Sequence, residues 1–285
     1  MKKIIITADD YGMSKAVNSA IEEGIGAGII TATNVMVNMP FYQEAVKLKE
    51  ISSSISVGIH WTLSCGKPVS DPRKIASLVD SDGYFFSYPE FRRRLRKGYI
   101  KQEDVCEELT AQYNKYISIL GVPDYWNSHQ NVHVDFRIYN WFVNTALKLG
   151  GGGCMRSHER IYVPASDGDC SMSRLWQVVE PVKSLLLNSW QKSAHKKGTA
   201  SPQGLVVCLN KKDAINTEYI FNNIQWGDRW LGEYVIHPAT ENDSPYFGKI
   251  IEKRIDEYNI FTSPKTKAII ANAGIHLVNY NESVI

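Results

Sequence analysis

No segment of this sequence is long and apolar enough to span a bilayer, and the apolar run after Lys2-Lys3 stops at Asp9-Asp10, too soon for a signal-peptide core. The expectation is a soluble, cytoplasmic protein without a membrane partner. Cysteine is sparse. Cys65, Cys106, Cys154, Cys170 and Cys208 are odd in number, widely spaced and without a CxxC pair, which argues against a disulfide framework and against a thiolate zinc site. Charge of one sign is missing as well. The 32 basic and 30 acidic side chains leave a formal charge of +2, so no global field recruits nucleic acid or an anionic membrane, and a small-molecule partner is expected. No GxGxxG or phosphate-loop sequence is present. No linker divides the 285 residues, so residues 1–285 are read as a single domain.

What the sequence does contain is organised around Ile4-Ile5-Ile6-Thr7-Ala8-Asp9-Asp10-Tyr11-Gly12. The β-branched run reads as a buried strand, and it ends in adjacent carboxylates. Neighbouring buried anions need a cation or a shared proton, which points to a metal or to acid/base chemistry. An Asp cap for the helix that begins near Ser14 is the plainer alternative. Further strands are predicted at Ile29–Val37, at Ser56–His60, at Tyr125–His129 continuing through His133, at Cys154–Arg156, at Gly204–Leu209, at Glu233–Pro238 and at Ile275–Val278. Helices are predicted over Phe41–Ile51, Val105–Leu120, Phe136–Leu149, Leu175–His195, Asp213–Asn222, Tyr246–Tyr258 and Lys265–Ala273, with polar loops at Trp61–Tyr84 and Tyr162–Ser173. The basic run Phe91–Lys97 reads as a solvated helix face. Strand then helix in alternation implies α/β architecture with a mostly parallel sheet, and the strand count, with no GxGxxG or phosphate-loop sequence, favours a TIM-like (β/α) barrel over an open doubly wound sheet.

The chemical regularity is sharper than the fold pattern. Asp9, Asp10, His60, His129 and His237 all fall at the carboxyl ends of predicted strands, the face on which such barrels carry their sites. One Asp with two His is a common ligand set for a hydrolytic metal and leaves positions open for water and substrate. Mixed oxygen and nitrogen donors admit one divalent ion, Mg or Zn first, with Mn and Co also compatible. His133, His158, His195 and His276 lack this placement, and His195 reads as surface. Trp61, Tyr11 and Trp226 are aromatics that core packing explains as well as sugar stacking does.

The segments Ala8-Asp9-Asp10-Tyr11-Gly12, Gly58-Ile59-His60-Trp61-Thr62-Leu63, Ser128-His129-Gln130-Asn131-Val132-His133 and His237-Pro238 occur in an order that resembles the YdjC-like carbohydrate deacetylases, which include chitooligosaccharide deacetylase. The resemblance implies a distorted (β/α) barrel that removes acetyl groups from N-acetylated sugars with a divalent metal, often as a homodimer. By motif position it implies a proton-accepting Asp9, metal ligands Asp10, His60 and His129, and His237 as the acid, with Arg156 orienting the base. The sequence departs from the family pattern at Asn131, where His is usual, at Asp135, where Pro often stands, and at Ala239, where Gly is usual. These departures touch substrate contacts beside His129 and leave the ligand set intact. The expected activity is hydrolysis of an acetylated amino sugar with release of acetate. A metal-dependent phosphoesterase, another amidohydrolase on a similar barrel, and a non-catalytic sugar-binding protein are the competing readings.

Overall fold

The isoleucine run forms the centre of the sheet in the computed structural model, which describes residues 1–167, 174–248 and 250–283. Strand β1 (Lys2–Tyr11) has Ile4, Ile5 and Ile6 all at 0% exposure, as expected of a parallel strand covered on both faces. The others are β2 (Ala32–Val35), β3 (Ser56–Trp61), β4 (Trp126–Ser128), β5 (Arg160–Val163), β6 (Leu205–Cys208), β7 (Leu231–Ile236) and β8 (Ile275–Leu277). The strand order is β4-β3-β2-β1-β7-β6-β5, and the pairings are parallel. β8 pairs with Lys2–Ile4 of β1, at the end of that strand that β2 does not reach.

The sheet curls into a distorted barrel, and its two outer strands meet through one extended stretch. Trp126 N–H donates to the Cys154 carbonyl (3.0 Å) and Arg156 N–H to the Trp126 carbonyl (3.1 Å), while the continuation of the same stretch, β5, pairs with β6. Closure by single bridges instead of a full ladder is the distortion, and it leaves Cys154–Arg156 outside any regular strand.

The crossovers are helical for local reasons. The Lys15–Gly26 helix after β1 opens at Ser14, whose hydroxyl accepts from Val17 N–H, and Ala16, Val17, Ala20, Ile21 and Ile25 bury its inner face. In the Gln102–Leu120 helix Val105, Leu109, Tyr113 and Tyr116 are buried, as their helical spacing predicts. The solvated reading of the basic run agrees with the Tyr88–Arg96 helix, where Glu90 pairs with Arg93 and Arg94.

Several boundaries differ from expectation. The fourth strand stops at Ser128, because Gln130 (φ 55°) and Asn131 (φ 50°) adopt left-handed backbone that no strand accommodates; they form instead a tight turn in which Val132 N–H donates to the His129 carbonyl (3.3 Å). The helix expected from Tyr246 begins at Ile251, which frees Tyr246 and Phe247 to face a cleft. Tyr162 and Val163, expected in a loop, belong to β5, and residues 168–173 of that expected loop, Cys170 among them, lie outside the described residues. Among the described residues Cys65, Cys106, Cys154 and Cys208 are free thiols, and no helix is long and apolar enough to cross a membrane.

Candidate active site

Adjacent residues in a regular strand point to opposite faces, so Asp9 and Asp10 should diverge. They do not, because the register between β1 and β2 shifts between Ala8 and Tyr11 and Asp10 sits at φ 75°. This irregularity, at a residue type that tolerates left-handed backbone, turns both carboxylates toward the carboxyl end of the barrel. Gly12 (φ 98°) completes the turn, where a Cβ would lie 3.0 Å from the Tyr42 backbone.

Asp10 Oδ1 lies 3.0 Å from His129 Nδ1 and 3.3 Å from His60 Nε2. One donor atom from each of these residues falls within 4.8 Å of the other two, and all three residues are buried. His60 is held by register. It is the direct neighbour of Asn127 across β3 and β4, and its Nδ1 meets the Asn127 amide at 2.5 Å. With the amide oxygen there, Nδ1 carries the proton and Nε2 offers a lone pair, the tautomer a metal ligand requires. Turned over, that oxygen accepts instead from Arg156 Nη2 (2.8 Å) and Asn34 Nδ2 (3.0 Å) while the amide nitrogen donates to His60 Nδ1, which places the ring proton on Nε2, facing Asp10, to be displaced when an ion binds. Two imidazole nitrogens and a carboxylate oxygen at this spacing fit a divalent ion.

Asp9 is held differently. Arg156 grips it through two hydrogen bonds, Nη1 to Oδ2 (2.8 Å) and Nη2 to Oδ1 (2.6 Å), and Asn34 Nδ2 donates to Oδ1 at 2.5 Å. Arg156 Nε donates in turn to Glu233 Oε1 (3.0 Å). Burial pushes the Asp9 carboxyl up, but Arg156, helped by His60 and His237, overrides it and holds the group well below the usual carboxylate range. Burial acts the same way on Asp10, and His129 and Arg254 more than reverse it. Burial lowers His129, yet the Asp10 carboxylate carries it to about 9.

His237 follows β7, whose Ile236 pairs with Ala8, so it stands beside the end of β1. Its Nε2 is 3.8 Å from Asp9 Oδ2 and its side chain is 30% exposed. Its pKa is lowered, chiefly by burial and against the pull of Asp10 and Asp9. Asp9, Asp10, His60, His129 and His237 line a cavity of about 270 Å³ together with Tyr246 and Phe247, and Asp9 and His237 also border an adjoining cleft of about 770 Å³. The residues that the sequence placed at strand ends therefore meet around one cleft. Trp61 and Tyr11 are 0% exposed and belong to the core.

Sequence reasoning passed over Asn34, Asn127, Glu233, Arg254 and Glu257. Asn34, Asn127 and Glu233 had a readable signal, a polar residue with hydrogen-bonding capacity inside a predicted strand, and all three are 0% exposed. Arg254 and Glu257, on the Ile251–Phe261 helix, had none, since their partners are Asp10 and the His237 main chain.

A family model described as YdjC-like protein matches residues 3–272. A carbohydrate deacetylase from Brevibacillus brevis is 36% identical over 283 residues, covering 98% of this chain and 99% of that one. A carbohydrate deacetylase from Thermoanaerobacter pseudethanolicus is 34% identical over 148 residues, and the match spans 58% of that protein's length. A crystal structure from Enterococcus faecalis, of a protein provisionally described as a cellobiose-phosphate cleavage protein, superposes with a TM-score of 0.76 at 25% identity and covers 100% of this chain and 99% of that one.

Proposed function

Because this chain belongs to the YdjC-like proteins, we propose that it is a metal-dependent carbohydrate N-deacetylase. Its substrate is an N-acetylated sugar, a chito-oligosaccharide or related amino sugar, and its product is acetate. The observation that carries the reading is the convergence of Asp9, Asp10, His60, His129 and His237 on one cleft. The naming of the Brevibacillus relative, matched along nearly its whole length, supports the substrate class.

Asp10, His60 and His129 would hold the ion, Mg or Zn first and Mn or Co as further candidates. When bound, such an ion supplies a Lewis acid that acidifies water and stabilises charge on the acetyl oxygen. The chain's own residues supply the proton path. Asp9, kept anionic by Arg156, takes the proton as a water oxygen bonds to the acetyl carbon. A carboxylate so firmly held is a weak resting place for a proton, and His237 Nε2, 3.8 Å away and uncharged at rest, receives it. His237 then protonates the sugar nitrogen as the C–N bond breaks, a transfer typically worth about 10² to 10⁴ in rate. The adjoining cleft of about 770 Å³ has room for more than one pyranose unit and offers Tyr234, Lys212 and Lys253 along its walls. A single domain over residues 1–285, a cytoplasmic setting and a homodimer complete the proposal; the joining of every strand among the described residues into one sheet supports the first of these.

A phosphoesterase or another amidohydrolase would use the same ion site, and the description of the Enterococcus protein keeps phosphorylated sugars in the test. The experiment is a screen of N-acetylglucosamine, its short oligomers and their phosphates for acetate and free amine, with each divalent ion and with chelator. Acetate release that chelation abolishes is the expected result. Phosphate release with no acetate from any acetylated sugar would overturn the proposal.

A further inference from the structure

Asp10 presents its two oxygens to different partners. Oδ1 faces both imidazoles, while Oδ2 accepts a 2.5 Å hydrogen bond from Arg254 Nη2. Arg254 is 2% exposed, and its guanidinium lies 4.7 Å from the Phe247 ring centroid. The same guanidinium reaches across to the neighbouring strand end, where Nη1 donates to the His237 carbonyl at 3.3 Å. Around it the main chain is tied to the same helix twice more. Ala239 N–H donates to the Arg254 carbonyl (3.2 Å), and His237 N–H donates to Glu257 Oε2 (2.7 Å).

We propose that Arg254 is a positioning residue that sets how the site holds its ion: it occupies Asp10 Oδ2, so that Asp10 offers one oxygen instead of two, and it fixes His237 relative to that oxygen. The proposal rests on the ion-site reading above. Charge balance alone does not account for the arrangement, since a lysine ammonium would neutralise Asp10 equally well. The guanidinium puts two donors of one rigid plane on the carboxylate and the His237 carbonyl and so fixes both, whereas an ammonium is a single point donor on a flexible stem that pins neither oxygen in place. The consequence for function is an ion with positions left open. A carboxylate free to chelate through both oxygens fills one more of them, and that position is then closed to water or to the acetyl oxygen.

The test uses the full chain loaded with Co(II), whose visible spectrum reports coordination geometry, and compares wild type with Arg254→Lys and Arg254→Gln. Both variants are expected to bind Co(II) stoichiometrically and to show a weaker visible band, the mark of a higher coordination number. With an acetylated substrate, kcat should fall about 10- to 100-fold, the usual range for a residue that orients a ligand, with KM shifted less than about threefold. A wild-type spectrum and kcat in Arg254→Lys would overturn the proposal, because charge would then suffice. Loss of Co(II) binding together with kcat in that variant would also overturn it, because the role would then be structural. Should Arg254→Gln fail to fold for want of a countercharge on Asp10, the lysine variant decides alone. If wild type releases no acetate with any ion, the deacetylase reading fails, while the Co(II) spectra still judge Arg254.

Discussion

Two pairs of buried histidines in this barrel, joined in sequence only where His129 is followed by His133, sit in opposite surroundings. His60 and His129 are 1% and 7% exposed, with ring centroids 5.6 Å apart; His133 and His158 are 0% and 4% exposed, with centroids 5.0 Å apart. The first pair shares Asp10 Oδ1, and the carboxylate carries His129 up to about 9. The second pair has aromatic neighbours, Trp126 and Phe142 beside His133 and Tyr139 beside His158, and burial with Arg156 and Arg160 nearby presses His158 down to about 3. His133 is pushed the same way, by burial and then by His158. Burial is common to both pairs and so cannot be what makes a ligand. The difference is one carboxylate, placed by an irregular turn of β1.

The largest effect should come from breaking the first pair. His129→Ala removes one donor from the set and leaves Asp10 facing a gap, so stoichiometric retention of Zn or Co after dialysis should be lost. Acetate release should fall at least about 100-fold, the upper end of what losing a mere outer partner costs. Metal analysis and turnover on the same sample check this. Full activity in the variant would show that the ion is held elsewhere.

How far this contrast was legible beforehand depends on which link each residue belongs to. The β-branched run of β1 and its abrupt acidic end announced the central strand, and the histidines at 60, 129 and 237 stood out because each fell at the carboxyl end of a predicted strand. The same reasoning left His133 and His158 aside, although nothing in the sequence showed that they pack together. The positive φ at Asp10 had no sequence signature, yet without it Asp9 and Asp10 would face apart. Strand β5 was hidden by Arg160 and Tyr162, polar or amphipathic residues at positions 23% exposed or more weakly covered than the central run. Arg254 finds Asp10 across 244 residues, a contact that composition and periodicity do not encode. What reads locally was readable, and what depends on closure of the barrel was not.

A second prediction, of intermediate size, sharpens the comparison through pH. In metal-free protein His129 is raised above the value of about 6.5 expected in the unfolded chain, so its contribution to stability is fully present below about pH 6.5 and is lost as pH rises toward 9. Asp10 is lowered and acts only at the acid end, while His133, His158 and His237 are lowered and act only below about pH 6.5. Between about pH 6.5 and 8.5 His129 therefore dominates the titration, and Cys154 and Cys208, both raised by burial above the unfolded value of about 8.5, add to the decline only at its upper edge. Urea midpoints of metal-free protein should decline across that window, by an amount on the order of 2 kcal/mol, and His129→Gln should flatten the decline. A flat profile in wild type would mean that Asp10 and His129 are not coupled.

The smallest effect should come from the second pair, and it tests whether burial alone ever sufficed. His133 Nδ1 meets Ser128 Oγ at 2.5 Å, but the same hydroxyl also accepts from the His133 main-chain N–H at 3.1 Å, so Ser128 keeps a partner when the ring is removed. The other ring nitrogen, Nε2, is buried with no hydrogen-bond partner among the described residues, so its loss breaks no bond. His133→Gln should then cost less than about 1 kcal/mol near neutral pH, with metal content unchanged and turnover within about threefold of wild type, as for substitutions that open little cavity and strand no charge. Its effect should turn favourable in acid, because the variant no longer carries a buried imidazole that resists the protonation available to it in the unfolded chain. If His133→Gln instead sheds the ion as His129→Ala does, the two pairs are one network joined through Ser128, and the carboxylate at position 10 is not what separates them.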